Sequence, residues 1–256
     1  APFMLSYKNR TGTKMGDQKL VDAMLHDGLT DAMYGIHMGC TADNIAKKYN
    51  ISREAQDEFA FASQEKALAA IAAGKFKDEI VPVVIASKKG DVSINEDEEY
   101  KKFDEAKVSA LKPAFEKEGT ITAINASKIN DGASAMVLMS GDKVKELGLK
   151  PLAKIVSFAD ASQEPEWFTT TPSKAIPKAL KKANINIEDV DFFEINEAFS
   201  VVALANMKEM NIAHEKINVF GGAVALGHPI GSSGCRIVAT LISVLNHKGG
   251  KIGAAG

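Results

Sequence analysis

The stretch DFFEINEAFSVVALANMKEM, Asp191 to Met210, decides the fold. Asp191 to Ile195 reads as a short β-rich strand, and Glu197 to Met210 as a helix. The same order recurs downstream, with Ile217 to Phe220 as a strand and Ser232 to His247 as a helix that Gly249 ends. Strand and helix in alternation specify an α/β fold with a largely parallel sheet. Working upstream, Ser173 is expected to cap a helix through Ala183, with Pro177 tolerated near its start. Ala133 to Ser140 and Leu152 to Phe158 are two further strand candidates, the first an apolar run of the kind a sheet covers on both faces. The first half has a different texture, polar and rich in charged connections. Within it Thr41 is expected to cap a helix through Lys48, and Ser52 one that runs to Ala73 before Gly74. Ile80 to Ile85 is β-rich but contains Pro82, so it is expected at an edge.

Composition narrows the function classes. The 256 residues are 45% hydrophobic, with 31 basic and 33 acidic side chains and a net charge of -2. These values exclude a disordered chain or a disulfide-stapled mini-domain, and they give no general attraction to nucleic acid or an anionic membrane. The two cysteines, Cys40 and Cys235, cannot build a disulfide framework, which favours a reducing compartment. No apolar run approaches the ~20 residues of a membrane span. The five dispersed histidines and lone cysteines offer no metal-ligand spacing, so no metal is expected.

Three stretches carry groups capable of chemistry. In GGAVALGHPIGSSG, Gly221 to Gly234, the spacing is neither that of a dinucleotide fingerprint nor of a phosphate loop. Its His228 precedes Pro229, and a proline holds the preceding residue in extended geometry and so orients the imidazole. That ring can serve as a general base or an oxyanion donor, or it can be a packed histidine in a tight turn. Asn196 falls at the junction of strand and helix, where parallel sheets bind ligands, but asparagine there is also a common N-cap. His37 and Cys40 place an imidazole near a thiol, yet a free cysteine is more often a small buried hydrophobe. Cys235 reads as core.

Taken together, NEAF (Asn196 to Phe199), GHP (Gly227 to Pro229) and NASKINDG (Asn125 to Gly132) resemble the thiolase family. DGLTD (Asp27 to Asp31), HMGCTADN (His37 to Asn44) and LKPAF (Leu111 to Phe115) extend the resemblance over essentially the whole chain. The His37-Met38 pair is similar to the biosynthetic, short-chain members.

The resemblance implies a layered α-β-α-β-α thiolase fold, incomplete here, with an α+β loop domain. Residues 1–129 would be the loop domain covering coenzyme A, 130–150 the last strand region of the N-terminal half, and 151–256 the C-terminal half without its closing strands. It implies reversible Claisen condensation of two acetyl-CoA to acetoacetyl-CoA and CoA, thioesters that are substrates rather than cofactors. His228 matches the histidine that activates the nucleophile and helps hold the thioester oxygen, and Asn196 the asparagine of the same oxyanion hole. His37, Met38, Phe115, Ser127, Ala198 and Phe199 match positions lining the CoA and acyl pocket. The family's two catalytic cysteines fall before Ala1 and after Gly256. The chain is therefore expected to be part of something longer and inactive alone. Gln64 and Ile124 depart from potassium-activated members. A homotetramer joined near Tyr7 to Gly16, in the cytoplasm or the mitochondrion, without nucleic-acid or membrane partners, completes the expectation. The competing readings are a longer-chain 3-ketoacyl-CoA thiolase and a non-catalytic acyl-CoA or lipid-binding module.

Overall fold

The computed structural model describes residues 2–256. Along the chain run β1 (Phe3–Met4), β2 (Val21–Asp22), α1 (Met38–Tyr49), α2 (Arg53–Ala72), β3 (Val83–Ile85), β4 (Val92–Ile94), α3 (Gly141–Glu146), α4 (Pro172–Ala183), β5 (Phe192–Glu194), α5 (Ser200–Met210), α6 (Ala223–Leu226), α7 (Ser233–Lys248) and β6 (Gly253–Ala255). Short 3-10 and π segments lie between them.

Strand β5 organises the second half. It pairs in parallel with β6, Phe193 opposite Ala254, and on its other side Phe193 bridges in parallel to Ile217. Parallel neighbours require crossover connections, and here α5 and α7 supply them. Phe193 and Ile195, each 1% exposed, pack against Ile176 and Leu180 of α4 and Ala203 and Met210 of α5. The opposite side of α5 presents Val201, Val202 and Ala205 to Ala42, Ile45 and Ala46 of α1. Helix α5 is thus covered on two sides, with Lys208 and Glu209 reaching solvent near its C-terminus.

Helix starts show where side-chain chemistry overrides propensity. Ser52 caps α2, accepting the Ala55 N–H at 3.1 Å, as its position predicts. By contrast α1 begins at Met38, because His37 takes the N-cap and accepts the Gly39 N–H through Nδ1 at 3.0 Å. Thr41 instead donates its hydroxyl to Met38 O at 2.7 Å. Likewise α4 begins at Pro172, and the Ser173 hydroxyl donates back to Thr170 O at 2.7 Å instead of capping. Helix α5 starts only at Ser200, which leaves Asn196 to Phe199 as a loop.

Two expected strands are absent from the described residues. Ala133 to Ser140 and Leu152 to Phe158 join no ladder, with Val137 87% and Phe158 77% exposed. A strand exists only as one member of a hydrogen-bonded pair, and neither segment has a neighbour to pair with. Ile217 to Phe220 likewise shrinks to the single bridge at Ile217. Of the Ile80 to Ile85 segment, Val83 to Ile85 form an edge strand, β3, and its antiparallel partner β4, with Ile94 opposite Val83, was not foreseen.

Candidate active site

Residues 125–130 form a strip joined on both sides. On one side Ser200 N–H donates to Asn125 O at 2.8 Å, Ser127 N–H donates to Ala198 O at 3.0 Å, and Ala126 bridges Phe199. On the other side His228 N–H donates to Lys128 O at 2.9 Å, with a parallel bridge from Ile129 to His228. Backbone bonds therefore bring the NEAF loop and the GHP turn to the same place, 32 residues apart in sequence. Gly227 makes the approach possible: its φ is +94°, and a Cβ there would stand 2.2 Å from Asn130 Oδ1.

The reactive side chains meet above this strip. Asn196 Nδ2 lies 3.3 Å from His228 Nε2, and His228 Nδ1 lies 2.6 Å from Ser233 Oγ. The Ser233 hydroxyl donates to Pro229 O at 3.1 Å, which leaves its oxygen to accept the Nδ1 proton. The consistent tautomer carries hydrogen on Nδ1 and a lone pair on Nε2 facing the Asn196 amide. Burial, assisted by the positive Arg236, holds the His228 pKa below its ordinary value and favours this neutral ring. Asn196 is not an N-cap, since α5 starts four residues later. Its Oδ1 is buried without a hydrogen-bond partner among the described residues.

The residues matched to the CoA and acyl pocket assemble beside this pair. His37 stacks on Phe115, centroids 4.8 Å apart, and Phe115 meets Phe199 edge-on at 6.1 Å. Ser127 and Ala198 follow through their backbone bond, and half-buried Met38 opens α1 with its N–H on Leu29 O at 2.9 Å. Burial lowers the His37 pKa as well, and its capping bond leaves the ring proton on Nε2.

Cys40 has the wrong environment for a nucleophile. Burial, then Glu116 and Asp43, raise its thiol pKa, while the facing His37 nitrogen is occupied by Gly39. Two residues that sequence reading did not single out complete the site: Ser233, which selects the histidine tautomer, and Glu197, buried directly after Asn196. A glutamate amid apolar neighbours at a strand end was the available signal. Among the described residues no group of three or more His, Cys, Asp or Glu side chains is arranged to hold a metal ion, and no helix is long and apolar enough to cross a membrane.

The site thus joins an oriented imidazole, a strand-end asparagine and an aromatic-lined wall on an α/β core. The chain belongs to the thiolase family: residues 1–142 match the thiolase N-terminal domain and residues 149–256 the thiolase C-terminal domain. It is 56% identical over 249 residues to a probable acetyl-CoA acetyltransferase of Dictyostelium discoideum, covering 97% of this chain and 60% of that protein. A cytosolic acetyl-CoA acetyltransferase of Gibberella zeae is 52% identical over 249 residues, covering 96% of this chain and 63% of that one. The crystal structure of the Bacillus anthracis acetyl-CoA acetyltransferase superposes with a TM-score of 0.93 at 42% identity, covering 99% of this chain and 64% of that one. The thiolase fold is thus established, over a chain that spans 60% to 64% of the length of these relatives.

Proposed function

We propose that this chain supplies the oxyanion-binding and CoA-binding walls of an acetyl-CoA C-acetyltransferase. The observation that carries the reading is the 3.3 Å approach of Asn196 Nδ2 to His228 Nε2, which puts an amide donor beside an imidazole nitrogen. In the reaction an enzyme thiolate attacks the thioester carbonyl of one acetyl-CoA, and CoA leaves as its thiolate. A base then removes a methyl proton from a second acetyl-CoA. The resulting enolate attacks the acetyl-enzyme carbonyl, forming the new carbon–carbon bond and returning the enzyme thiolate.

The tautomer assigns His228 two successive tasks. Its Nε2 lone pair takes the proton of the attacking thiol, and the N–H so formed then donates to the thioester oxygen. Asn196 Nδ2 supplies a second, fixed donor to that oxygen or to a water beside it. His37, Met38, Phe115, Ser127, Ala198 and Phe199 flank the pantetheine and acyl group. In the same reading residues 1–129 cover CoA, residues 130–150 and 151–256 belong to the two thiolase halves, and the cytoplasmic enzyme is a tetramer joined near Tyr7 to Gly16.

The test extends this chain to the family's length with the termini of the Dictyostelium relative and follows thiolysis of acetoacetyl-CoA. Activity in the extended chain, none in the 256 residues alone, and its collapse in His228→Ala are expected. Undiminished turnover in His228→Ala would overturn the assignment.

A further inference from the structure

The carboxylate of Glu197 lies 1% exposed between Asn196 and Ala198, and the reaction above does not use it. Its oxygens are enclosed by donors from three other parts of the chain. Oε2 accepts the Ser63 hydroxyl of α2 at 2.7 Å and the Val224 N–H of α6 at 3.2 Å, while Oε1 accepts Asn218 Nδ2 at 2.8 Å. The Val224 N–H and the Asn218 amide cannot reverse their roles. Asn218 is held in orientation by the Ile195 backbone, with Oδ1 accepting N–H at 2.9 Å and Nδ2 donating to O at 2.8 Å. Ser63 Oγ already accepts the Gly222 N–H at 3.1 Å, so its own proton points at Glu197. Three donors converge on the carboxyl group, and hydrogen bonds of this kind favour its ionised form. Burial pushes the Glu197 pKa up, and these three bonds and nearby Lys66 offset only part of that rise.

We propose that Glu197 is a positioning residue, a buried clamp that ties the start of the glycine-rich loop to the end of β5 and so sets the spacing of Asn196 and His228. Two of its three partners, Asn218 and Val224, belong to the segment that leads through α6 to His228, and the third, Ser63, anchors the carboxylate to α2. Gly222 passes so close that a Cβ would stand 2.2 Å from the Glu197 carboxyl carbon, which explains glycine at that position. The far end of the loop is held independently, by the His228 N–H on Lys128 O and by Ser233. With both ends pinned, the imidazole and the amide keep a fixed separation without touching Glu197.

The inference rests on the proposed reaction only in naming what is positioned. In the extended chain, Glu197→Gln keeps the shape but turns an N–H toward a neighbouring donor. A displacement of about 1 Å in a reacting group costs about 100-fold in rate. The expected result is a fall in kcat of that order, with KM for CoA unchanged and the Asn196–His228 distance lengthened beyond 3.3 Å in a crystal structure of the variant. Glu197→Asp, which retains the carboxyl group, is expected to recover part of kcat. Unchanged kcat with the separation intact overturns the proposal, as does a loss of thermal stability without loss of kcat. Should Glu197→Gln not fold, Ser63→Ala carries the test: it removes one donor, a smaller fall in kcat at constant KM supports the clamp, and wild-type kcat refutes it. If His228→Ala proves as active as the parent, the functional reading fails, and the crystallographic distance still judges the clamp.

Discussion

Residues 133–158 and residues 191–255 carry similar β-prone, apolar sequence and meet opposite fates. Phe193 is enclosed between β6 and Ile217 and packed under two helices, whereas Val137 and Phe158 stand in solvent without a ladder. Composition does not separate the two regions. What separates them is the presence of a partner: β5 has one on each side, and burial of its side chains follows from that. The difference teaches that an apolar run is an offer of a strand, accepted only where another backbone can complete its hydrogen bonds.

The strongest way to break this contrast acts at the paired end, where the assembled sheet holds the NEAF loop. Replacing His228 or Asn196 by alanine in the extended chain is expected to lower turnover by about 100- to 1,000-fold, the usual loss for a preorganised oxyanion donor. Equal turnover in a steady-state thiolysis assay would separate the site from the fold. Next in size is Phe193→Ala, which opens a cavity in the core and is expected to cost about 3–5 kcal/mol of unfolding free energy in urea. Phe158→Ala, on the exposed segment of the same chain, is expected to change stability by less than about 0.5 kcal/mol.

A pH experiment sharpens the comparison at the end of β5, where two buried glutamates, Glu194 in the strand and Glu197 in the loop after it, lie three residues apart. Glu197 is satisfied by three donors, but Glu194 has both oxygens unpartnered and its nearest cation, Arg236, 4.0 Å away. Desolvation pushes the Glu194 pKa up to about 8, from an ordinary 4.5. Between these values the folded chain binds a proton that the unfolded chain has released, so this group's contribution to stability falls as pH rises from 4.5 toward 8. Glu194→Gln removes the titration, and urea unfolding at pH 5 and pH 8 is expected to show a smaller loss on raising pH than in the parent. An unchanged difference would mean that Glu194 is ionised throughout. The smallest effect is expected from Val137→Lys. It should leave unfolding free energy almost unchanged while reducing self-association in light scattering, because an exposed unpaired apolar segment invites edge pairing.

Much of the site was legible before any coordinates. His228 was marked by Pro229 and Asn196 by its place between a strand and a helix, and both are local signals. Glu197 and Ser233 were not, since a buried polar side chain takes its meaning from partners far away: Ser63 lies 134 residues from the glutamate it binds. The alternative N-cap role of Asn196 could be dismissed only when α5 began at Ser200. Thr41 misled for a comparable reason. It is a good cap by type, but His37 already held that position through its own ring nitrogen.

The sequence by itself determined the α/β class, the helix that Ser52 caps, and the motifs that mark a thiolase, because periodicity, capping and turn chemistry act over a few residues. Tertiary structure alone decided which apolar runs became strands, which tautomer His228 adopts and which buried carboxylate finds hydrogen-bond donors. Those outcomes depend on hydrogen-bond partners and desolvation supplied from distant parts of the chain, and neither is encoded in the residue concerned.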